Sequence, residues 1–428
     1  MNVSAWWLAP LPLLTLVNFF NYLDRQIVYG MLSLIGDDLA LSKVQMGWLG
    51  TANLLVFALV SLLSGPLADR FGPRLVLSSA IVLWSLATIA SAAAPSYESL
   101  LICRALVGVG EGVYGPGSNA LLCAASPPER RGRALGIYNV GMALGGTAGL
   151  ALGVVLGPVL GWRAALLIAG LPGFLLAAAS MFVVMPRAAA PADRVSARAV
   201  LSQPAFLIAL GGGALATFGM SGLITWSEYL VGVERGLPRA SAGIFMLTAG
   251  IVCGAGGAVL GGWVGDAAKR RHAGGHSLAI GISFVAGGVA ALLALHTHAL
   301  APFLALVALT ILLLSVYNGP AAAVVHEMVP PHLAATAQGI FLFGIHLLGN
   351  APAPAVVGWI AEGSTVTTAL HVPVAAFVAS GLLFVAVARI QGRAAAGATK
   401  ACGAWRWLSK TAEDSAPTPS VAAPSRHK

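Results

Sequence analysis

The chain has 428 residues, of which 58% are hydrophobic and only 9% charged. Soluble domains carry about 25% charged residues, so this sequence cannot cover a water-facing surface of its size. That excludes a soluble enzyme or nucleic-acid-binding domain and leaves an integral membrane protein. The formal net charge of +9 follows topology, as the order of the loops makes plain.

About twelve apolar runs are long enough to cross a bilayer as helices, and none alternates as a strand would. They are predicted at 7–32, 45–66, 75–94, 98–123, 134–157, 162–185, 204–233, 241–264, 277–295, 299–326, 335–360 and 368–390. Numbered in this order they are spans 1 to 12. The loops after even-numbered spans carry Arg70 and Arg74, then Arg130, Arg131 and Arg133, then Arg187, Arg194 and Arg198, then Lys269, Arg270 and Arg271. The intervening loops hold only Lys43, Arg163, Arg235 and Arg239. The positive-inside rule then places both termini in the cytoplasm. The start of the chain has no basic region ahead of span 1, so no cleaved leader is expected.

Span 1 contains Tyr22, Asp24 and Arg25 in the stretch NYLDRQ. An ionisable side chain in mid-membrane costs about 2.5–3.5 kcal/mol on insertion scales and must face the bundle interior or a wet cavity. Between spans 2 and 3 lies GPLADRFGPR, where Gly65 and Gly72 permit tight turns and Asp69 can pair with Arg70, Arg74 or a helix N-terminus. Such a cluster can latch one conformation and release another.

Span 4 carries Arg104 and Glu111. Seven residues apart, they share one helix face and lie about 10 Å apart along the axis. Two acids and two bases sum to zero, so span 4 supplies the complement that span 1 needs. Arg104 and Arg25 offer planar forks for a carboxylate or phosphate. Asp24 and Glu111 are candidate proton carriers, because burial favours the neutral acid and a nearby arginine favours the carboxylate. A purely structural quartet is the alternative. Gly108, Gly110 and Gly112 follow no strand, so they suit helix packing rather than a nucleotide loop.

The stretch 186–203 is polar and basic, as expected of a cytoplasmic linker between a six-helix half at 1–185 and another at 204–390. Glu228 of span 7 is either a cavity acid or an interfacial residue beside Trp226 and Tyr229. Tyr22, Tyr114, Tyr317, Asn318 and Asn350 are candidates to line a site, with interhelical hydrogen bonding the alternative. His346 is a candidate cavity ligand or proton relay, with a histidine satisfied by a neighbouring helix the alternative. His326 and Glu327 read as interfacial. From 391 to 428 the composition suits a disordered cytoplasmic tail. The four cysteines form no disulfide framework or metal spacing, so no metal or cofactor is expected.

The halves repeat. Residues 113–137 align without gaps on 316–340: Tyr114 meets Tyr317, Pro127-Pro128 meets Pro330-Pro331, and Gly136-Ile137 meets Gly339-Ile340. Repeats of this kind mark secondary transporters whose halves rock about a central site. No HExxH, GxSxG or paired-aspartate motif supports a membrane-embedded enzyme. A non-transporting sensor would need an output domain, which the tail is too sparse to be.

The loop GPLADRFGPR closely resembles the signature of the major facilitator superfamily. Together with NYLDRQ, RALVGVGEGVYG, PPERRGRALGIYNVG, YNGP and HLLGNAPAPAVVG, it resembles the bacterial Spinster-like members. That resemblance implies an all-α fold of two pseudo-symmetric six-helix halves, alternating access, and an amphiphilic lysolipid-type cargo with proton coupling in some members. It implies Asp24, Arg25, Arg104 and Glu111 as the site charges. The organic anion:proton symporters of the superfamily share the span 1 and span 4 charges, which implies a sugar acid or related carboxylate instead. A multidrug-type exporter is a third reading. The expected protein is a monomer in a bacterial-type inner membrane, meeting a small-molecule substrate, protons or another coupling ion, and lipid.

Overall fold

A computed structural model describes residues 10–127, 130–182, 197–330 and 333–414. Among them there is no strand, and the elements are helices in the expected order. Ten helices are long and apolar enough to cross a membrane. The remaining two spans are Pro10–Ile27, continued by Leu32–Asp38, and Tyr97–Ala125. These are spans 1 and 4, whose charged and polar side chains lower their hydropathy. The architecture is the all-α, twelve-span bundle that the apolar runs predict.

Among the described residues, the loops with Arg70 and Arg74, with Arg130, Arg131 and Arg133, and with Lys269, Arg270 and Arg271 each follow an even-numbered span and so share one end of the bundle, here called the basic end. The opposite, far end holds the corner where Trp162 and Arg163 meet Asp38. The Arg163 guanidinium and the Trp162 indole N–H hold the Asp38 carboxyl below the usual carboxylate range. The expected linker lies largely in 183–196, outside the described residues. The last helix runs His371–Asp414, well past the end expected near 390. The segment expected to be a disordered tail is therefore helical as far as Asp414. Its alanines, with Gln391, Arg389 and Arg393, are strong helix formers, and their lack of apolar side chains does not prevent them from extending a helix already nucleated by span 12.

Packing against span 1 depends on one glycine row. Gly141, Gly145, Gly149 and Gly153 of span 5 face the backbone carbonyls of Thr15, Phe19, Leu23 and Ile27. A repeat of four puts all of them on one face, so the two backbones approach as closely as small residues allow in membrane helices. The glycine opposite Leu23 therefore fixes the helix turn that carries Asp24 and Arg25.

The hydrophobic cores are distributed unequally. One core joins both halves at the far end, where Ile27, Met31 and Leu32 pack with Trp226, Leu230, Val357 and Ala361. The other two each belong to one half: Leu14, Leu77, Trp84 and Tyr114 in the first, Phe206, Phe284, Phe341 and Phe384 in the second. Direct hydrogen bonds between the halves follow the same division. Lys43 reaches the carbonyls of Ala361 and Ser364, the Val44 N–H donates to Glu362, and the Ala355 N–H donates to Thr51. The bundle is closed at its far end.

The glycine row gives a direct test. A Cβ at Gly145 would strike the Phe19 carbonyl, whereas at neighbouring Gly146 it meets the Gln26 side chain at 3.7 Å and the Tyr22 ring at 4.0 Å, both ordinary contacts. Gly145→Ala is expected to destabilise the purified protein by about 1–3 kcal/mol through overpacking, read as a lowered Tm. Gly146→Ala should leave Tm within error, and equal shifts in the two variants would refute the packing argument.

Candidate functional site

Span 1 presents Asp24 and Arg25 on adjacent faces, so they cannot share one partner. Arg25 points toward span 4. Its Nη2 lies 2.8 Å from Glu111 Oε2 and its Nε donates to the same oxygen at 3.0 Å. Its guanidinium is sandwiched between the rings of Tyr22, 4.9 Å away, and Phe57, 4.6 Å away. Cation–π attraction is strengthened where the cation is desolvated. Arg25 is 3% exposed and Glu111 is fully buried, so this is a dry ion pair rather than one lining the wet hollow that the sequence allowed.

Asp24 accepts a hydrogen bond from Thr88 Oγ1 of span 3 at 2.5 Å, while its Oδ1 has no protein partner. Arg104 is 2% exposed and lies beyond 4 Å from any carboxylate among the described residues. Its charge acts on Asp24 through space, yet its Nη1 has no hydrogen-bond partner in the protein. The quartet is thus half paired: Arg25 and Glu111 are in contact, and Asp24 and Arg104 are not.

Asn53 of span 2 ties these helices together, donating to Glu111 Oε2 at 3.2 Å and to the Arg104 carbonyl at 3.4 Å. Sequence reasoning missed Asn53, Thr88 and Phe57. A lone asparagine in an apolar span is a readable signal, but nothing marks Phe57 in sequence. Phe57 also bridges the halves, since its ring meets that of His346 edge-on at 5.1 Å. His346 opens a π-helical turn, His346–Asn350, and its Nδ1 lies 3.0 Å from Asn350 Nδ2. Such turns interrupt the regular ladder and recur at functional sites. Pro352 and Pro354 follow at the start of the α-helix Ala353–Glu362, where a proline is tolerated because the first N–H groups have no partner within the helix.

The remaining candidates fall elsewhere. Tyr114 is fully buried, donates to the Leu14 carbonyl at 2.8 Å and packs edge-on to Trp84 at 5.3 Å. Tyr317 stacks on Phe284 at 5.5 Å. The two tyrosines match in the sequence repeat and do equivalent packing work in the two halves, so neither joins the quartet. Asn318 is exposed beside Gly319, apart from the quartet.

In the signature loop, Gly72 has φ +85° and separates the helices Ser64–Phe71 and Pro73–Ala92, as its glycine identity requires. Gly65 has open space around it. Asp69, Arg70 and Arg74 make no ion pair among the described residues, and Arg70 lies over the Phe71 ring at 5.2 Å. The expected pairing of Asp69 is absent because this loop sits at the basic end, where the halves share no core. The corresponding loop of the second half does form ties: Glu327 pairs with Lys269 at 2.8 Å and with His276 at 2.8 Å. Glu327 is therefore an anchoring group and not simply interfacial.

Glu228 resolves differently from both readings. It is 2% exposed and accepts from Ser33 Oγ at 2.7 Å and from the Ser33 N–H at 3.3 Å. Arg239 Nη2 reaches the same hydroxyl at 3.5 Å. Trp226 is fully buried and donates to the Pro354 carbonyl, so there is no aromatic belt here. Glu228 is a strut between the halves at the closed end.

A buried ion pair contributes little when intact but leaves an expensive orphan when half of it is removed, by about 3–5 kcal/mol. Arg25→Gln should therefore lower Tm markedly, and adding Glu111→Gln should recover much of the loss. A double variant no more stable than Arg25→Gln would show that the two side chains are not energetically coupled.

Comparison with known proteins agrees with this fold. The sequence profile of the Major Facilitator Superfamily matches residues 14–354. An MFS-type efflux pump of Mycolicibacterium smegmatis is 28% identical over 84% of this chain and 85% of that protein. A hexuronate transporter of Bacillus subtilis is 37% identical, but over 35% of this chain and 33% of its own length. The crystal structure of a bacterial homologue of the human lysosomal transporter Spinster, inward-facing and unoccupied, superposes with a TM-score of 0.75 at 22% identity, covering 92% of this chain and 97% of that one. The chain is a multi-pass membrane protein of the major facilitator superfamily, a family of transporters and not of enzymes.

Proposed function

We propose that this transporter moves a small organic carboxylate in exchange for, or together with, protons, with the basic end in the cytoplasm. The observation that supports this reading is the contact between Arg25 and Glu111 beside an Arg104 whose Nη1 has no hydrogen-bond partner in the protein. An incoming carboxylate competes with Glu111 for Arg25, with Arg104 as the second donor. Once Glu111 loses its counter-charge in a dry interior, it takes a proton to remain neutral. Asp24, with one free oxygen, is the second candidate carrier.

The rings of Tyr22 and Phe57 beside the guanidinium, with His346 edge-on to Phe57, suit a compact cargo with a flat or cyclic body. His346 and Asn350 come from the second half, so a cargo touching them and Arg25 engages both halves at once. This favours a carboxylate over a lysolipid, whose bulk lies in its acyl chain. The hexuronate specificity in the name of one partial relative is in keeping with it. In this conformation the far end is closed and the signature loop residues Gly65, Asp69, Arg70, Gly72 and Arg74 are disengaged, as a latch for the opposite state would be. The two six-helix halves, 1–185 and 204–390, would then rock as units about the span 1–span 4 site. The chain works as a monomer, since all the charges it needs are its own.

Reconstituted liposomes under an imposed pH gradient, offered sugar acids, aromatic acids and lysolipids in turn, test the reading. Carboxylate uptake that collapses with the gradient is expected; flux confined to lysolipids would replace the assigned cargo. Glu111→Gln should abolish gradient-driven accumulation while binding stays measurable, and unchanged accumulation would remove Glu111 from coupling. Arg104→Lys loses the planar fork, so carboxylate affinity should fall about tenfold, or 1.4 kcal/mol. Equal affinity in both proteins would mean that Arg104 is structural.

A further inference from the structure

At the basic end, away from the quartet, two segments border an open surface pocket of about 490 Å3. Arg271 and His272 come from the end of span 8, and Arg389, Gly392, Arg393 and Ala396 from span 12. Among the described residues, no carboxylate lines it. The three arginines form no ion pair and donate no hydrogen bond to the protein among the described residues. Their neighbours behave otherwise: Lys269 is held by Glu327 and by the Ala273 carbonyl, and His276 lies between Asp266 and Glu327. A topological excess of positive charge requires arginines in this loop region, but it does not require three of them to converge on one pocket while the local acids pair elsewhere.

The pocket is also shaped for donors. The Gly274 N–H donates to His272 Nδ1 at 3.0 Å. In the neutral ring this leaves the proton on Nε2, which therefore presents an N–H. Gly392 admits that edge of the ring, since a Cβ there would meet Nε2 at 2.8 Å. Three arginine forks and an imidazole N–H form a donor set for phosphate oxygens, for which arginine geometry is well matched.

The helix that supplies Arg389 and Arg393 also says where the ligand comes from. Leu382 lies seven residues before Arg389 and thus on the same face, about 10 Å along the axis toward the membrane interior. It is 60% exposed, and Ile390 beside Arg389 is 36% exposed. One face of span 12 is therefore apolar and lipid-facing in the bilayer and becomes basic at its end. A soluble phosphate has no use for the apolar part. A phospholipid uses both, and basic pockets between helices at a membrane surface bind anionic head groups.

We propose that Arg271, His272, Arg389 and Arg393 bind the phosphate head group of an anionic phospholipid whose acyl chains lie along the Leu382 face of span 12. The proposal is independent of the cargo assigned above, because it uses none of the same residues. Native mass spectrometry of the full purified chain, titrated with phosphatidylglycerol or phosphatidylcholine, tests it. Preferential retention of phosphatidylglycerol is expected, and equal retention of the two lipids by the unaltered protein would overturn the proposal without any variant. Arg389→Gln with Arg393→Gln should weaken phosphatidylglycerol binding tenfold or more. Arg74→Gln with Arg133→Gln removes the same charge elsewhere on the basic end and should change it less than twofold; equal weakening would reduce the site to diffuse surface charge. Glycerol 3-phosphate should not displace the lipid at matched concentration. Displacement would identify the ligand as a soluble phosphate and refute the lipid assignment.

Discussion

The Arg25–Glu111 contact is the constraint around which the first half is arranged. A charge in the hydrocarbon region needs a partner, and these two side chains are almost wholly removed from solvent. Holding them in register takes three helices beyond their own. Asn53 fastens span 2 to the acid, Thr88 draws Asp24 away toward span 3, and the glycine row of span 5 sets the height of span 1. The polar groups are thus what fixes the mutual position of helices whose apolar faces alone would slide past one another, since lipid and leucine offer each other equal solvation.

The second organising feature is the unequal distribution of the cores. A core shared at the far end and separate cores toward the basic end give the bundle one closed and one divided side. Glu228 reinforces the closed side with a bond that exists only while Ser33 of the other half is adjacent. Apolar burial here is general and polar bonding specific: the first makes closure favourable, the second defines a single register for it. Phe57 and His346 stand where these two regimes meet.

Much of this was legible in the sequence because membrane helices obey few rules. Length and apolarity set the spans, and mid-span charges were certain to be inside. The pairing was not legible. Helix periodicity placed Arg104 and Glu111 on one face but could not say that Arg25 would take Glu111 while Asp24 turned to a threonine. Tyr114 and Tyr317 left two readings open: Tyr114 bonds to the Leu14 carbonyl of another span and Tyr317 stacks on Phe284, so a residue kept in both copies is here a packing element common to them. Glu228 was ambiguous because its partner, Ser33, is distant in sequence and carries no pattern. The end of span 12 was misplaced because a loss of hydropathy marks where a helix leaves the membrane, not where the helix stops.

Charge balance links the site to the proposed cycle. The quartet of Asp24, Arg25, Arg104 and Glu111 is neutral as it stands. Under the proposed function, one monovalent anion entering a dry site makes the sum negative by one, and one proton on Glu111 restores neutrality. A divalent anion would demand a second proton, for which Asp24 with its unbonded oxygen is the remaining acid in the cluster. Coupling then needs no dedicated relay. It follows from the cost of net charge in a low-dielectric interior, and the same cost explains why the cluster sets two acids against two bases.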